Sequence, residues 1–468
     1  MMGFQIVVLW SDVLVWLLVL AGIGVGVLIA RSPPLLAAWR RVGGNRVGMA
    51  SATLLIAFVA IGLLDSLHYR LALESKPGQQ KQYAIEVLSV LDWLAEPLRT
   101  RNEKTYSAPF ATRLYAKETT EVPGVGTVRD FPRLKHGGSH LGEREDEVVA
   151  DVTFTAFRFA VLAGLGWLAL AAAVAVLVAH RAGQGAVAGW RLIWRGETAF
   201  AWNAVLTTLA LILLLVVPLL ALAGQYHVFG TDKVGQDVFY QILKSVRTAL
   251  IIGLVTTLVM LPVAVLLGIV AGFFRGWVDD VIQYLYTVLN SIPGVLLIAA
   301  AVLMMQVVID THPEWFATAA ERADLRLLAL CFILGITSWT GLCRLLRGET
   351  LKLRELEYIQ AAQAFGVSSW RIILRHILPN LMHIVIIALV MDFSGLVLAE
   401  AVLSYVGIGV DPTMTSFGTM INNARMELGR EPVVWWSLAA AFSAMFILVL
   451  AANLFADAVR DAFDPRGA

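Results

Sequence analysis

Nine apolar runs, each close to the length of a bilayer core, constrain this chain more than any other feature. They fall at roughly 6–29, 48–67, 154–179, 201–223, 247–273, 281–308, 326–344, 381–406 and 435–456. About 20 apolar residues in a helix cross ~30 Å of hydrocarbon. In lipid the backbone must satisfy its own hydrogen bonds, so such runs form helices and not open strands. The expected fold class is all-α, a polytopic membrane protein with about nine transmembrane helices. Composition agrees, with 58% hydrophobic and only 15% charged residues and a mean hydropathy of +0.74. A net charge of +1 gives no basic footprint for nucleic acid. Membrane lipid is an expected partner and nucleic acid is not.

Loop charges set an orientation. The loop 31–47 carries Arg31, Arg40, Arg41 and Arg46 with no acid, and 180–200 carries Arg181, Arg191 and Arg195 against Glu197. The loop 345–380 adds Arg347, Lys352, Arg354, Arg371 and Arg375. Basic loops stay in the cytoplasm. Nine spans then put the N-terminus outside and the C-terminus inside, without adjustment. The first run has no preceding Lys or Arg and reads as a retained helix, a signal-like segment being the other reading. The segment 71–150 is then external. It mixes charge signs (Lys76, Glu86, Asp92, Arg99, Glu103, Arg113, Glu118) and ends in the acidic run Glu143–Glu147. Pro123, Gly124, Gly126, Pro132, Gly137 and Gly138 predict loops around one helix near 81–101, either a small domain or a partly ordered loop.

Several chemistries are missing. No Lys follows a Gly, so there is no phosphate-cradling G-x-x-x-x-G-K-[ST] loop, and no H-E-x-x-H, zinc spacing or G-x-S-x-G occurs. No catalytic residue and no metal site are expected; His136 and His140 flank a Gly-rich turn and read as ordinary loop histidines. Cys331 and Cys343 share one apolar run, too far apart along a helix for a disulfide, and read as small buried hydrophobes. Acids in the later spans are few: Asp65 lies near one end of the second, and Asp392 and Glu400 fall in the eighth. An ion-coupled carrier needs more buried acids near mid-bilayer. The chain reads as a conduit energised from elsewhere.

The polar island Glu349–Asn380 supplies a candidate for that input. Leu351, Leu353, Leu356 and Ile359 interleave with Lys352, Arg354, Glu355 and Glu357 as in an amphipathic helix. Gln360, Ala361 and Ala362 continue it, and Gly366 suits a helix end. Ser368 or Ser369 can cap a second helix, Trp370–Leu378, which Pro379 is expected to break before the next span. The product is a short helix with a small Ala face, which a partner's groove can close over.

These residues resemble the E-A-A-x3-G-x9-I-x-L-P coupling motif of ABC importer permeases. Ala361, Ala362, Gly366, Leu378 and Pro379 match it, with Ile377 displaced by one position. Gln360 stands where the family has Glu, and Glu357 or Arg354 are the candidates to supply the charge. Two further blocks are similar to dipeptide and oligopeptide importer permeases of the C type. One is His227-Val-Phe-Gly-Thr-Asp232-Lys-Val-Gly-Gln-Asp237, in which Thr231 or Asp232 can cap a short external helix toward Lys244. The other is Glu400-Ala-Val-Leu-Ser-Tyr405-Val-Gly407-Ile-Gly409 with Pro412. The ending Asn453-x-x-x-Asp457-x-x-Arg460-Asp-x-x-Asp464-Pro-Arg466 matches as well.

The resemblance covers roughly 195–468 and implies a type I importer core of six helices over 196–468, with coupling loop 349–380. Ahead of it lie two spans in 1–70, the external 71–150, and a third extra helix with a cytoplasmic linker in 151–195. It further implies a bacterial inner-membrane permease forming half of a heterodimeric pore. The partners are a second homologous permease, two ATPase subunits carrying ATP and Mg, an external solute-binding protein and a peptide substrate. Nickel-chelate and other small-solute importers share the type. Asp232, Asp237, Glu400, Tyr405 and Gly407 become external gate or entrance candidates, with capping or pairing within the bundle as their other role. Asp392 is the polar pore candidate. Proline kinks at Pro218, Pro262 and Pro293, and close contacts at Gly253, Gly268 and Gly272, would let the bundle rock. The competing readings are a secondary carrier, and an assembly or sensor protein that uses 71–150.

Overall fold

The computed structural model describes residues 3–73, 82–122, 126–142, 144–183, 185–316 and 318–463. Lys76, Pro123, Gly124, Glu143 and the Asp464–Arg466 end of the last block lie outside them. Among the described residues nine helices are long and apolar enough to cross a membrane. The all-helical, nine-span architecture read from the sequence is the one observed.

Strand β1 (Phe4–Val7) leads into α1 (Trp10–Arg31). Helices α2 (Pro33–Gly44) and α3 (Arg46–Asp65) meet at Asn45, whose side chain accepts the Gly48 N–H and so starts α3. Between the second and third spans come β2 (His68–Leu71), β3 (Leu88–Ser89), α4 (Val90–Leu94), α5 (Glu96–Thr100), β4 (Glu118–Val122) and β5 (Gly126–Asp130). The strand order is β1-β2-β3 in one small sheet and β4-β5 in another. β1 runs antiparallel to β2 with Phe4 opposite Leu71 and Val7 opposite His68. The single helix expected near 81–101 is thus a strand followed by two short helices. Ser89 and Asp92 close a capping box at α4, and Pro97 falls at the start of α5, where a missing N–H is tolerated.

The remaining helices are α6 (Val148–Arg181), α7 (Ala186–Arg195), α8 (Trp202–Ala223), α9 (Val238–Phe274), α10 (Trp277–Ser291) and α11 (Gly294–Thr311). After them come α12 (Ala319–Ser338), α13 (Thr340–Arg354), α14 (Glu357–Ala364), α15 (Ser369–Ile372), α16 (Leu378–Val406), α17 (Phe417–Arg425) and α18 (Trp436–Phe463). Two expectations about proline need correction. The run 281–308 is not one helix: it breaks at Ile292-Pro293, where Ile292 is extended (φ −92, ψ 132), so α11 alone makes the span. Proline's ring disfavours helical geometry in the residue before it. Pro379, in contrast, breaks nothing. Helix runs from Ser369 to Val406, and a π-helical turn at Ile373–Ile377 precedes the proline. The wider turn relieves the clash and the lost hydrogen bond that proline imposes on a regular helix.

The chain forms two compact units. The first holds Gly26–Thr248 and Thr415–Ala458 together with β1. Within it Ala171, Ala175, Ile193 and Leu206 join α6, α7 and α8 in one core. A Cβ on Gly189 would sit 2.3 Å from the Ala175 carbonyl oxygen, so only glycine lets α7 lie against α6. A second core brings Leu98 and Leu141 of the external segment against Leu222, Tyr226 and Phe239. The second unit holds Leu9–Val25 and Ala249–Met414, with the helix end from Val459. Gly268 and Gly272 of α9 face α13, where added Cβ atoms would fall 2.8 Å from Cys343 O and 2.6 Å from Thr350 Cβ. This is the close backbone approach that small residues four apart permit. Cys331 and Cys343 are free and buried.

Candidate functional site

Three anchors carry the loop 349–380 on the second unit. Ile359, Ile372, Ile373 and Ile377 are buried among α9, α10, α13 and α16, with Ala362 and Val367 packed against them. Arg347, near the end of α13, makes a two-pronged pair with Asp279 at the start of α10, Nε to Oδ1 at 2.5 Å and a terminal nitrogen to Oδ2 at 2.6 Å. The loop is also tied across its own base, where Asn380 Nδ2 donates to the Tyr358 hydroxyl at 3.3 Å and to the His376 carbonyl at 2.7 Å. These contacts tie α14 to α16 and pack it against the core of α9, α10, α13 and α16.

Of the α14 residues singled out in the sequence, Ala362 packs inward while Glu357, Gln360 and Ala361 face out. Glu357, Gln360, Ala361, Gln363 and Ala364 are exposed, and Phe365, next to them, is 87% exposed. Gly366 adopts φ +73 with open space around its missing Cβ, so backbone geometry and not crowding demands glycine there. Gln360 does not turn to Glu357 or Arg354. Its amide donates to Glu355, to the carbonyl at 3.2 Å and the carboxylate at 3.4 Å, and Glu355 also pairs with Arg275. The amphipathic pattern over 349–358 concealed the break at Glu355-Leu356 that starts α14. Leu378 is half-buried and Pro379 exposed at the first turn of α16.

The entrance candidates divide between the units. Asp232 and Asp237 belong to the first, and Glu400, Tyr405 and Gly407 to the second. Asp237 is the group that caps: its Oδ1 accepts the N–H of Phe239 at 2.8 Å and Tyr240 at 3.3 Å. The helix it starts is no short external piece but α9 itself, which continues into the fifth span. Asp232 instead closes the preceding turn, accepting Val234 N and Gln236 N at 2.9 Å each. Thr231 is buried, its hydroxyl taken by Thr105 O and the Ser107 N–H.

Sequence reasoning had no signal for a buried ionic lock in the same block. Glu103 of the external segment accepts backbone N–H groups from Lys135 (2.8 Å), His136 (2.7 Å) and Gly137 (3.1 Å). The His227 ring lies between two carboxylates, Nδ1 2.7 Å from Asp237 Oδ2 and Nε2 3.4 Å from Glu103 Oε1. Burial opposes charge on His227, but the hydrogen bonds to Asp237 and Glu103 outweigh it and push its pKa up to about 9. Burial likewise opposes the Glu103 carboxylate, yet the bonds from His227 and three backbone amides hold it at about 2. A second knot joins Lys244 of α9 to Asp65 at 2.6 Å and Asp92 at 3.1 Å.

In the second unit Glu400 is 2% exposed and accepts the Ser404 hydroxyl at 2.6 Å. Tyr405 is 43% exposed, and Gly407 ends α16 at φ +88. Asp392 sits halfway along α16, half-buried, and makes no hydrogen bond or ion pair among the described residues.

Comparison with known proteins bears on the same stretch. The family described as binding-protein-dependent transport system inner membrane component matches residues 264–467. The glutathione transport system permease protein GsiD of Pectobacterium atrosepticum is 34% identical over 242 residues, 51% of this chain and 73% of that protein. The oligopeptide transport system permease protein OppC of Mycobacterium bovis is 31% identical over 52% of this chain and 77% of its own length. The probable D,D-dipeptide transport system permease protein DdpC of Escherichia coli is 28% identical over 59% of this chain and 92% of its own. With nine candidate spans among its described residues and these relatives, the chain is a membrane transport subunit. It belongs to the binding-protein-dependent permeases of ABC importers, in the dipeptide and oligopeptide group. It is a multi-pass inner-membrane component, and its family works with ATPase and binding-protein partners.

Proposed function

We propose that this chain forms half of a heterodimeric pore that imports di- or oligopeptides, with a second homologous permease as the other half. Two ATPase subunits, carrying ATP and Mg, dock on α14 from the cytoplasm, and a solute-binding protein delivers peptide from outside. The chain itself catalyses nothing. Its N-terminus lies outside and its C-terminus inside, which puts the basic loops 31–47, 180–200 and 345–380 in the cytoplasm. The observation that carries this reading is α14: an exposed helix that ends in an exposed Phe365 and the Gly366 turn and is bound at its base to the spans beside it. Closure of the ATPase pair pushes on that helix, and the bundle rocks as rigid pieces. Asp392, an acid at mid-span with no partner among the described residues, fits a wet path better than lipid. In the first unit Asp232 and Asp237 serve the entrance by turning the chain and capping α9; in the second, Gly407 ends α16 beside Glu400 and Tyr405.

The test is Gly366→Asp in the assembled importer. The variant protein is expected to insert and to co-purify with its second permease, while peptide uptake is lost. Unaltered uptake would sink the coupling role and favour a carrier that needs no ATPase. Failure of wild-type protein to bring an ATPase subunit and a second permease out of mild detergent would sink the importer assembly.

A further inference from the structure

The first unit contains a cavity of about 1690 Å³ that the transport reading does not use. α3, α8 and α18 run along it, α4, α5 and the first turns of α9 line its other end, and its walls are mainly apolar, with Ser443 a polar group on α18. Along α8 it runs from Asn203 to Gly224, roughly 30 Å at 1.5 Å per residue, the thickness of the hydrocarbon core. Drug-sized pockets occupy roughly 300–1,000 Å³, so this space is built for something longer and more apolar. One end carries Arg46, Asn203 and Trp194. Arg46 has no carboxylate partner among the described residues; its guanidinium lies beside Gly196. Its neighbours compound the charge. Neither Arg40 and Arg41 of α2 nor Arg191 and Arg195 of α7 is ion-paired among the described residues, and Glu197 is the lone acid in these two loops. Arg46 is exposed at that end, so a purely apolar occupant, such as a helix of another chain, would leave it to water, whereas an occupant with an anionic headgroup would pair it. Arg46 calls for an anion, and the groove calls for hydrocarbon.

We propose that this groove holds an anionic phospholipid, with its acyl chains along α3, α8 and α18 and its phosphate at Arg46. A basic pocket between spans, flanked by basic amphipathic helices, is the chemistry that selects anionic headgroups. The extra helices before the permease core thereby acquire a task, since α3 supplies both the arginine and one wall. The site makes no use of the coupling loop, so its failure would leave the transport reading untouched.

The experiment reconstitutes the full importer complex into bilayers with equal phosphatidylglycerol and phosphatidylcholine, then extracts it in detergent and measures the phospholipid retained. Wild type is expected to keep the anionic lipid over the zwitterionic one by roughly fivefold, the size of one arginine–headgroup contact. Arg46→Gln should abolish the preference, and Arg181→Gln, with the same charge change at the end of α6, should keep it. Ala444→Trp, which fills the α18 wall, should reduce retention of both lipids. The proposal is overturned by equal retention of the two lipids in wild type, by an undiminished preference in Arg46→Gln, or by an equal loss in Arg181→Gln. It is also overturned if Ala444→Trp retains as much lipid as wild type. A Ser443→Cys variant that cross-links to another protein chain, with no lipid retained, would assign the groove to that chain instead.

Discussion

Glu103→Gln isolates the lock between the external segment and the start of α9. The carboxylate is 8% exposed and holds three backbone N–H groups besides facing His227. An amide of the same shape keeps its carbonyl oxygen for His136 and Gly137 but turns an N–H toward Lys135. One buried donor loses its acceptor, at about 1–3 kcal/mol, and the bond between His227 and Oε1 keeps an oxygen but loses its negative charge, at about 1–1.5 kcal/mol. The two overlap, so about 3 kcal/mol is expected, or roughly a hundredfold in the local opening equilibrium. Amide exchange followed by mass spectrometry over residues 134–141 reads this directly. Glu118→Gln is the control: its pair with Lys104 is at the surface, where ion pairs contribute little. The pH dependence has a definite sign. Glu103 drops from an ordinary 4.5 to about 2, so its contribution is complete above 4.5 and lost as pH falls from there through 2. His227 rises from 6.5 to about 9, so its contribution is complete below 6.5 and lost as pH climbs through 9. Corrected for intrinsic exchange, protection should be greatest between 4.5 and 6.5. If Glu103→Gln changes exchange at 134–141 by less than about threefold, the carboxylate does not hold this segment and the reasoning is wrong.

Further perturbations test other parts of the fold. Gly272→Val would drive its side chain into Thr350 and the Arg347 carbonyl, an overpacking that costs about 1–3 kcal/mol; the melting temperature in detergent should fall, while Gly341→Ala, with open space around it, should not lower it. Asp237→Ala removes the cap of α9, worth about 1–2 kcal/mol, and one of the two partners of His227; Asp237→Asn should recover most of the cap, as read by thermal unfolding. Arg347→Lys keeps the charge but not the two-pronged fit to Asp279, and should lower the melting temperature by an amount that Arg347→Gln exceeds.

Much of the fold was legible because hydrocarbon imposes one rule on the backbone. Runs near 20 apolar residues had to be helices, and their number survived contact with the structure. Where prolines act was not legible. Pro293 ended a helix and Pro379 did not, because a π-helical turn at Ile373–Ile377 absorbs the second and nothing absorbs the first. The loop residues Ala361, Ala362 and Gly366 stood out in the sequence through helix propensity and the glycine. The contacts that hold them in place, Asn380 to Tyr358 and Arg347 to Asp279, join residues 22 and 68 positions apart and follow no local pattern.

The same division holds at the outer block. His227, Asp232 and Asp237 could be picked out as polar groups beside a span. Which of them caps α9 depended on chain geometry, and the choice of Glu103 as partner for His227 depended on a contact across 124 positions. The sequence by itself determined the solvent: which segments must lie in lipid and which loops stay in water. The tertiary structure alone decided which charges neutralise one another and which, like Arg46 and Asp392, are left without a partner among the described residues. Hydropathy is a property of each residue taken in turn, whereas the pairing of buried charges depends on a few ångströms between segments distant along the chain.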